Sequence, residues 1–239
     1  MSAEPSKLTS PGGADDPPTE IGERFAARLR GFGPLGILSI LIVLAGNVLF
    51  LPLSAILALV WAWLSRTPWR EIGYIRPKSW VRTIVIGLVF GAAFKLVMKA
   101  LVMPLLGAPA INQAFHFLVG NTAALPGILF LIIVGAGFGE ETLFRGYLFE
   151  RFGKLFGEST WAKTLTVVIT SVWFGVIHYP FQGLAGAEQA TIVGLVFGTI
   201  FALRRQIWIL IIAHIAFDLM AVAIIYYDLE TAVAHFIFK

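Results

Sequence analysis

An all-helical bundle that crosses a membrane with about six to seven helices is the fold class this sequence predicts, and three observations carry the expectation. Of 239 residues, 58% are hydrophobic and only 13% charged, where a soluble domain carries about 25% charged residues; the mean hydropathy is +0.83. Apolar runs recur at roughly the 20-residue length that a helix needs to cross the ~30 Å hydrocarbon core. Basic residues gather between the runs, which is the membrane pattern and not a nucleic-acid footprint. Within the runs a helix is obligatory, because backbone groups find no water there. The chain contains no cysteine, which excludes disulfides, Fe–S clusters, thiolate zinc sites and a cysteine nucleophile.

Residues 1–22 are rich in Pro, Gly and acids and are expected to form a disordered tail, since they cannot bury enough apolar surface to fold. They lack the basic start and short apolar core of a cleaved signal peptide. Residues 23–239 are expected to form a single transmembrane domain. Its apolar runs are Pro34–Leu64, Thr83–Leu106, Pro126 to about Phe149, Trp161–His178, Thr191–Leu203 and Ile207–Tyr227. The loop after the first run carries Arg66, Arg70, Arg76, Lys78 and Arg82 against one acid, so the positive-inside rule assigns it to the cytoplasm. Later loops alternate in agreement: Met103 to Leu125 and "YPFQGLAGAEQ" hold no Lys or Arg, whereas "ERFGKLFGEST" and "RRQ" do. Arg24, Arg28 and Arg30 place the N-terminal tail on the same cytoplasmic side, in a cell membrane. The first run is long for one span and short for two, leaving a tight hairpin, a kinked span and a re-entrant pair open. No internal repeat is visible, which counts against an inverted-repeat transporter. "GLVFG", Gly194 to Gly198, predicts a close helix contact.

Ionisable residues interrupt the apolar runs at Lys95 and Lys99, at Glu140, Glu141 and Arg145, at His178, and at His214 with Asp218. Each costs roughly 2.5 to 3.5 kcal/mol at a bilayer centre and so needs a partner or a task. At 100° per residue, Glu141 and Arg145 share a helix face one turn apart, while Glu140 points about 100° away. That spacing pairs Glu141 with Arg145 and leaves Glu140 free to take and return a proton. A buried ion-pair knot would explain Glu141 and Arg145 but leaves Glu140 over. Phe174 with His178, and His214 with Asp218, are also i,i+4 pairs. Three helices presenting such groups are most economically explained by one polar cavity. Lys99 is expected to snorkel to the outer interface and Lys95 to neutralise a bundle acid, with binding of a substrate carboxylate as the alternative.

The nucleophile motifs G-x-S-x-G, S-x-x-K and H-E-x-x-H are missing. The remaining inventory of carboxylates and imidazoles can activate water, stabilise an oxyanion and protonate a leaving amine, which is hydrolysis. It can equally hold a divalent, zinc-like ion that activates the water. A proton-coupled transporter, using the same groups as a relay, and a non-catalytic scaffold are the rival readings.

"EETLFR", "FGVIH" and "HIAFD", in this order within three apolar runs, resemble the E-E-x-x-x-R, F-x-x-x-H and H-x-x-x-N/D motifs of the CPBP family of intramembrane proteases. That family includes CAAX prenyl endopeptidases and bacteriocin-processing or immunity relatives. The resemblance covers about Pro126 to Asp218. It implies an intramembrane endopeptidase, glutamate-dependent or metal-dependent, acting on a membrane-embedded or lipidated protein or peptide. It implies that Glu140 with His178 activates the attacking water and that His214 with Asp218 supports the oxyanion, with Glu141, Arg145 and Phe174 in structural or supporting roles. A metal, if one is used, would fall to Glu140, His178 and His214. Members often carry an amide where this chain has Asp218; an ionised carboxylate cannot donate to an oxyanion, so Asp218 is expected to orient His214 or to ligate a metal. Depth tests convergence. At about 1.5 Å per residue, Glu140 and His214 fall in the cytoplasmic half, but His178 lies nearer the outer face by about 10 Å.

Overall fold

The computed structural model describes residues 20–49 and 51–238. Nearly all of the expected tail therefore lies outside the described residues, and its last three positions begin a helix. Eight helices follow among the described residues: α1 (Glu20–Arg30), α2 (Pro34–Leu49), α3 (Leu51–Leu64), α4 (Trp80–Leu105), α5 (Thr122–Phe156), α6 (Thr160–Arg204), α7 (Trp208–Tyr226) and the short α8 (Glu230–Ala234). Helices α4 to α7 are each long and apolar enough to cross a bilayer, and the pair α1 and α2, bent by 61°, adds a fifth candidate.

The first apolar run is a hairpin. A Cβ on Gly46 would meet Leu57 and Ser54, and at the other end Trp61 Nε1 donates to the Leu29 carbonyl and Arg30 to that of Ser65. This arrangement lets the basic residues on both flanks of the run stay on one side. The same end gathers the other basic segments. Arg151 donates twice to the Arg30 carbonyl, at 3.0 Å each, and the Ile207 N–H bonds Gly73 O at 3.0 Å. In this loop Tyr74 bonds Thr142 Oγ1 at 2.7 Å, and burial pushes its hydroxyl up to about 12, so it stays protonated.

The segment between Tyr179 and Gln189 was expected to be a loop, and here the structure differs. Helical backbone runs through it, and the reversal is confined to Gly183, at φ 66° and ψ −166°. Only glycine takes such a backbone without strain. The two legs, residues 160–182 and 184–204, pack antiparallel: a Cβ on Gly175 would meet Thr191, one on Gly194 would meet Ser171, and one on Gly198 would meet Val167. The Gly194–Gly198 pair is thus a close helix contact. A second "GLVFG", Gly87 to Gly91, does the same for α4 and α7, where a Gly91 Cβ would sit 2.0 Å from the Ala213 carbonyl oxygen. Helix α5 lies between α3 and α7, with α6 across its inner half. Much of it, Leu131–Glu140 and Thr142–Tyr147, is wound with the wider π-helical turn, a distortion that recurs at functional sites.

Candidate active site

Helix α5 brings Glu140, Glu141 and Arg145 to the centre of the bundle, with exposures of 6%, 0% and 2%. Glu141 Oε1 accepts from Arg145 Nη1 at 2.9 Å, as the i,i+4 spacing predicts. The same oxygen also accepts from His214 Nδ1 of α7, at 2.7 Å. With Nδ1 held there, His214 turns Nε2 toward Glu140 Oε2 at 3.7 Å on one side and Asp218 Oδ2 at 3.7 Å on the other. Glu140 Oε2 is buried and has no hydrogen-bond partner among the described residues. Glu141 Oε2 is likewise unpartnered among the described residues, so the two glutamates differ in their anchoring: Glu141 is locked through Oε1 in an ion-paired bridge, whereas Glu140 makes no such bridge.

The orienting role expected of Asp218 falls geometrically to Glu141. Asp218 lies on the Nε2 side of the ring, is 28% exposed at its side chain, and makes no hydrogen bond to Nδ1. The spacing of His214 and Asp218 suggested their pairing, whereas nothing local could show that a glutamate 73 positions away holds the other ring nitrogen.

His178, on the first leg of α6, is brought to the edge of this cluster. Its Nδ1 donates to the Phe174 carbonyl at 2.7 Å, so it too turns Nε2 away from the helix. It lies within electrostatic range of Glu140 but makes no ion pair with it among the described residues. Packing joins His178 to the cluster. The Phe174 ring lies 4.5 Å from that of His178 and 6.1 Å from that of His214, and the Arg145 guanidinium stands 4.8 Å over it. Phe197 completes the enclosure, 5.7 Å from His214 and 5.6 Å from Arg145. Sequence reasoning does not single out Phe197. Its signal was the "GLVFG" that contains it, since the flanking glycines let the second leg of α6 approach closely enough to place the ring there.

Among the described residues, no three His, Asp or Glu side chains are grouped as a metal site. Glu140, His178 and His214 are therefore not grouped as a ready ligand set among the described residues. The lysines depart from expectation. Lys99 does not snorkel; it bonds the Ala110 carbonyl and pairs with the buried Glu230 at 3.2 Å. Lys95 meets a neutral partner, Gln189 Oε1, at 3.0 Å.

A helical membrane bundle that gathers two carboxylates and two imidazoles around a free carboxylate oxygen has the equipment of an intramembrane hydrolase. Residues 122–220 match the family model described as type II CAAX prenyl endopeptidase Rce1-like. The match brackets Pro126 to Asp218, covers about two fifths of the chain, and supports a CPBP-family intramembrane protease domain in that segment. No curated protein and no solved structure is matched by the chain.

Proposed function

We propose that the protein is an intramembrane endopeptidase that hydrolyses a peptide bond of a membrane-embedded or lipidated substrate with water activated by Glu140. The observation that carries this reading is the free Glu140 Oε2 facing His214 Nε2 across 3.7 Å. That gap is too long for a hydrogen bond, and a water entering beside it would come within reach of both groups.

In the reaction Glu140 takes a proton from this water and the hydroxide oxygen adds to the peptide carbonyl carbon. His214, protonated on both nitrogens and held by Glu141, donates its Nε2–H to the oxyanion. Glu140 then gives its proton to the amide nitrogen, the C–N bond breaks, and a carboxylic acid and an amine leave, the acid passing its proton to the amine or to solvent. His178 stands at the edge of this cluster, with Nε2 turned away from its own helix. Arg145 holds Glu141 in place, which fixes the direction of His214.

The test is reconstitution in liposomes with a membrane-anchored peptide in water enriched in oxygen-18. Hydrolysis places one label in the new carboxylate and frees a new amino terminus. Proton-dependent solute uptake without peptide cleavage would assign the buried groups to transport instead.

A further inference from the structure

Lys95 is buried to 7% exposure in α4, yet no carboxylate lies within ion-pairing distance of it among the described residues. Its ammonium bonds one neutral oxygen, Gln189 Oε1, and rests 4.8 Å over the Phe217 ring. The nearby acid Glu230 is already committed: it accepts from Lys99 at 3.2 Å and from the Asn112 N–H at 2.8 Å, and it meets His116 at 3.3 Å. A buried cation with no carboxylate in ion-pairing contact is costly unless an anion arrives. Lys95 and Gln189 line a cavity of about 330 Å³, within the range of roughly 300 to 1,000 Å³ typical of ligand clefts. Its walls include Met103, Phe181, Ile224 and Ile225. The cavity abuts the candidate site, since Phe217 precedes Asp218, Asp218 acts electrostatically on Lys95, and Phe181 follows His178 by three residues on one α6 leg.

Resting on the hydrolase reading, we propose that this cavity binds a carboxylate of the peptide substrate, with Lys95 as its cation, and so sets which bond reaches Glu140. The apolar walls take the side chains beside that carboxylate, and Gln189 positions the Lys95 ammonium. A carboxylate seated at Lys95 leads the peptide back along α6 toward His178.

The test uses full-length Glu140→Gln protein in lipid nanodiscs and three fluorescein-labelled apolar pentapeptides. One ends in a free carboxylate, one in an amide, and one in an amide with a glutamate as its last residue. The free acid should bind about tenfold or more tightly than the plain amide, and Lys95→Gln should erase that ratio. Gln189→Glu, which supplies an internal counter-ion, should erase it too, so the result does not hang on one variant. Tight binding of the glutamate-ended amide would assign the recognised group to a side chain, and weak binding would assign it to the chain terminus. Equal binding of acid and amide, or a ratio that survives both substitutions, overturns the proposal. Because binding is read without turnover, failure here is distinct from failure of the hydrolase reading, which is judged by cleavage.

Discussion

Glu141→Gln and Glu140→Gln remove one charge each at adjacent positions, and the structure assigns them opposite consequences. Glu141 Oε1 accepts two charge-assisted bonds, 2.9 Å from Arg145 and 2.7 Å from His214. All three groups are buried, so neutralising Glu141 leaves the Arg145 guanidinium without a counter-ion. Breaking a buried pair in this way costs about 3 to 5 kcal/mol in soluble proteins. Interhelical hydrogen bonds in membranes are worth about 0.6 to 1.7 kcal/mol each, because the unfolded chain also finds partners in the bilayer. The loss expected for Glu141→Gln in reversible unfolding in mixed detergent micelles lies between these ranges, at about 2 to 3 kcal/mol. Adding Arg145→Met to that variant should cost far less than Arg145→Met alone, with a coupling of about 2 kcal/mol. Glu140→Gln removes no hydrogen bond and should change stability by less than about 1 kcal/mol. Additive effects of Glu141→Gln and Arg145→Met, or a Glu140→Gln loss as large as that of Glu141→Gln, would refute the division of roles.

Gly91→Ala would place a Cβ 2.0 Å from the Ala213 carbonyl, a contact with backbone that cannot rotate away. Separation of α4 from α7 should cost about 1 to 3 kcal/mol in the same unfolding assay and lower activity by moving His214. Asp218→Asn should keep activity within about tenfold, because an amide at the Nε2 side can donate to the oxyanion; a loss as severe as that of Glu140→Gln would make Asp218 a base or ligand. Dialysis against a zinc chelator should leave cleavage unchanged, and loss restored by added zinc would move the account to metal-activated water.

What could be read from the sequence is what helical spacing controls. Glu141 and Arg145 pair because four residues span one turn, and Glu140 is left over for the same reason. The hairpin of α2 and α3 could be narrowed to three forms but not chosen, since closure depends on Gly46 meeting Ser54 and on Leu29 meeting Trp61. The turn at Gly183 was hidden because Pro180, Gln182 and Gly186 resemble a loop in composition, although one residue makes the whole reversal. Glu141 with His214 and Lys99 with Glu230 join helices far apart in the chain. Spacing within one helix carries no information about either contact. Lys95 was the ambiguous case: its burial was legible, but its neutral partner was not.

The most direct test of the central claim is the initial rate of peptide cleavage by Glu140→Gln protein in liposomes, compared with the unsubstituted protein at equal folded fraction. Loss of the proton acceptor should lower the rate by about 10² to 10⁴ while the unfolding midpoint stays in place. A folded Glu140→Gln protein that cleaves at an undiminished rate would contradict the assignment of the chemistry to Glu140.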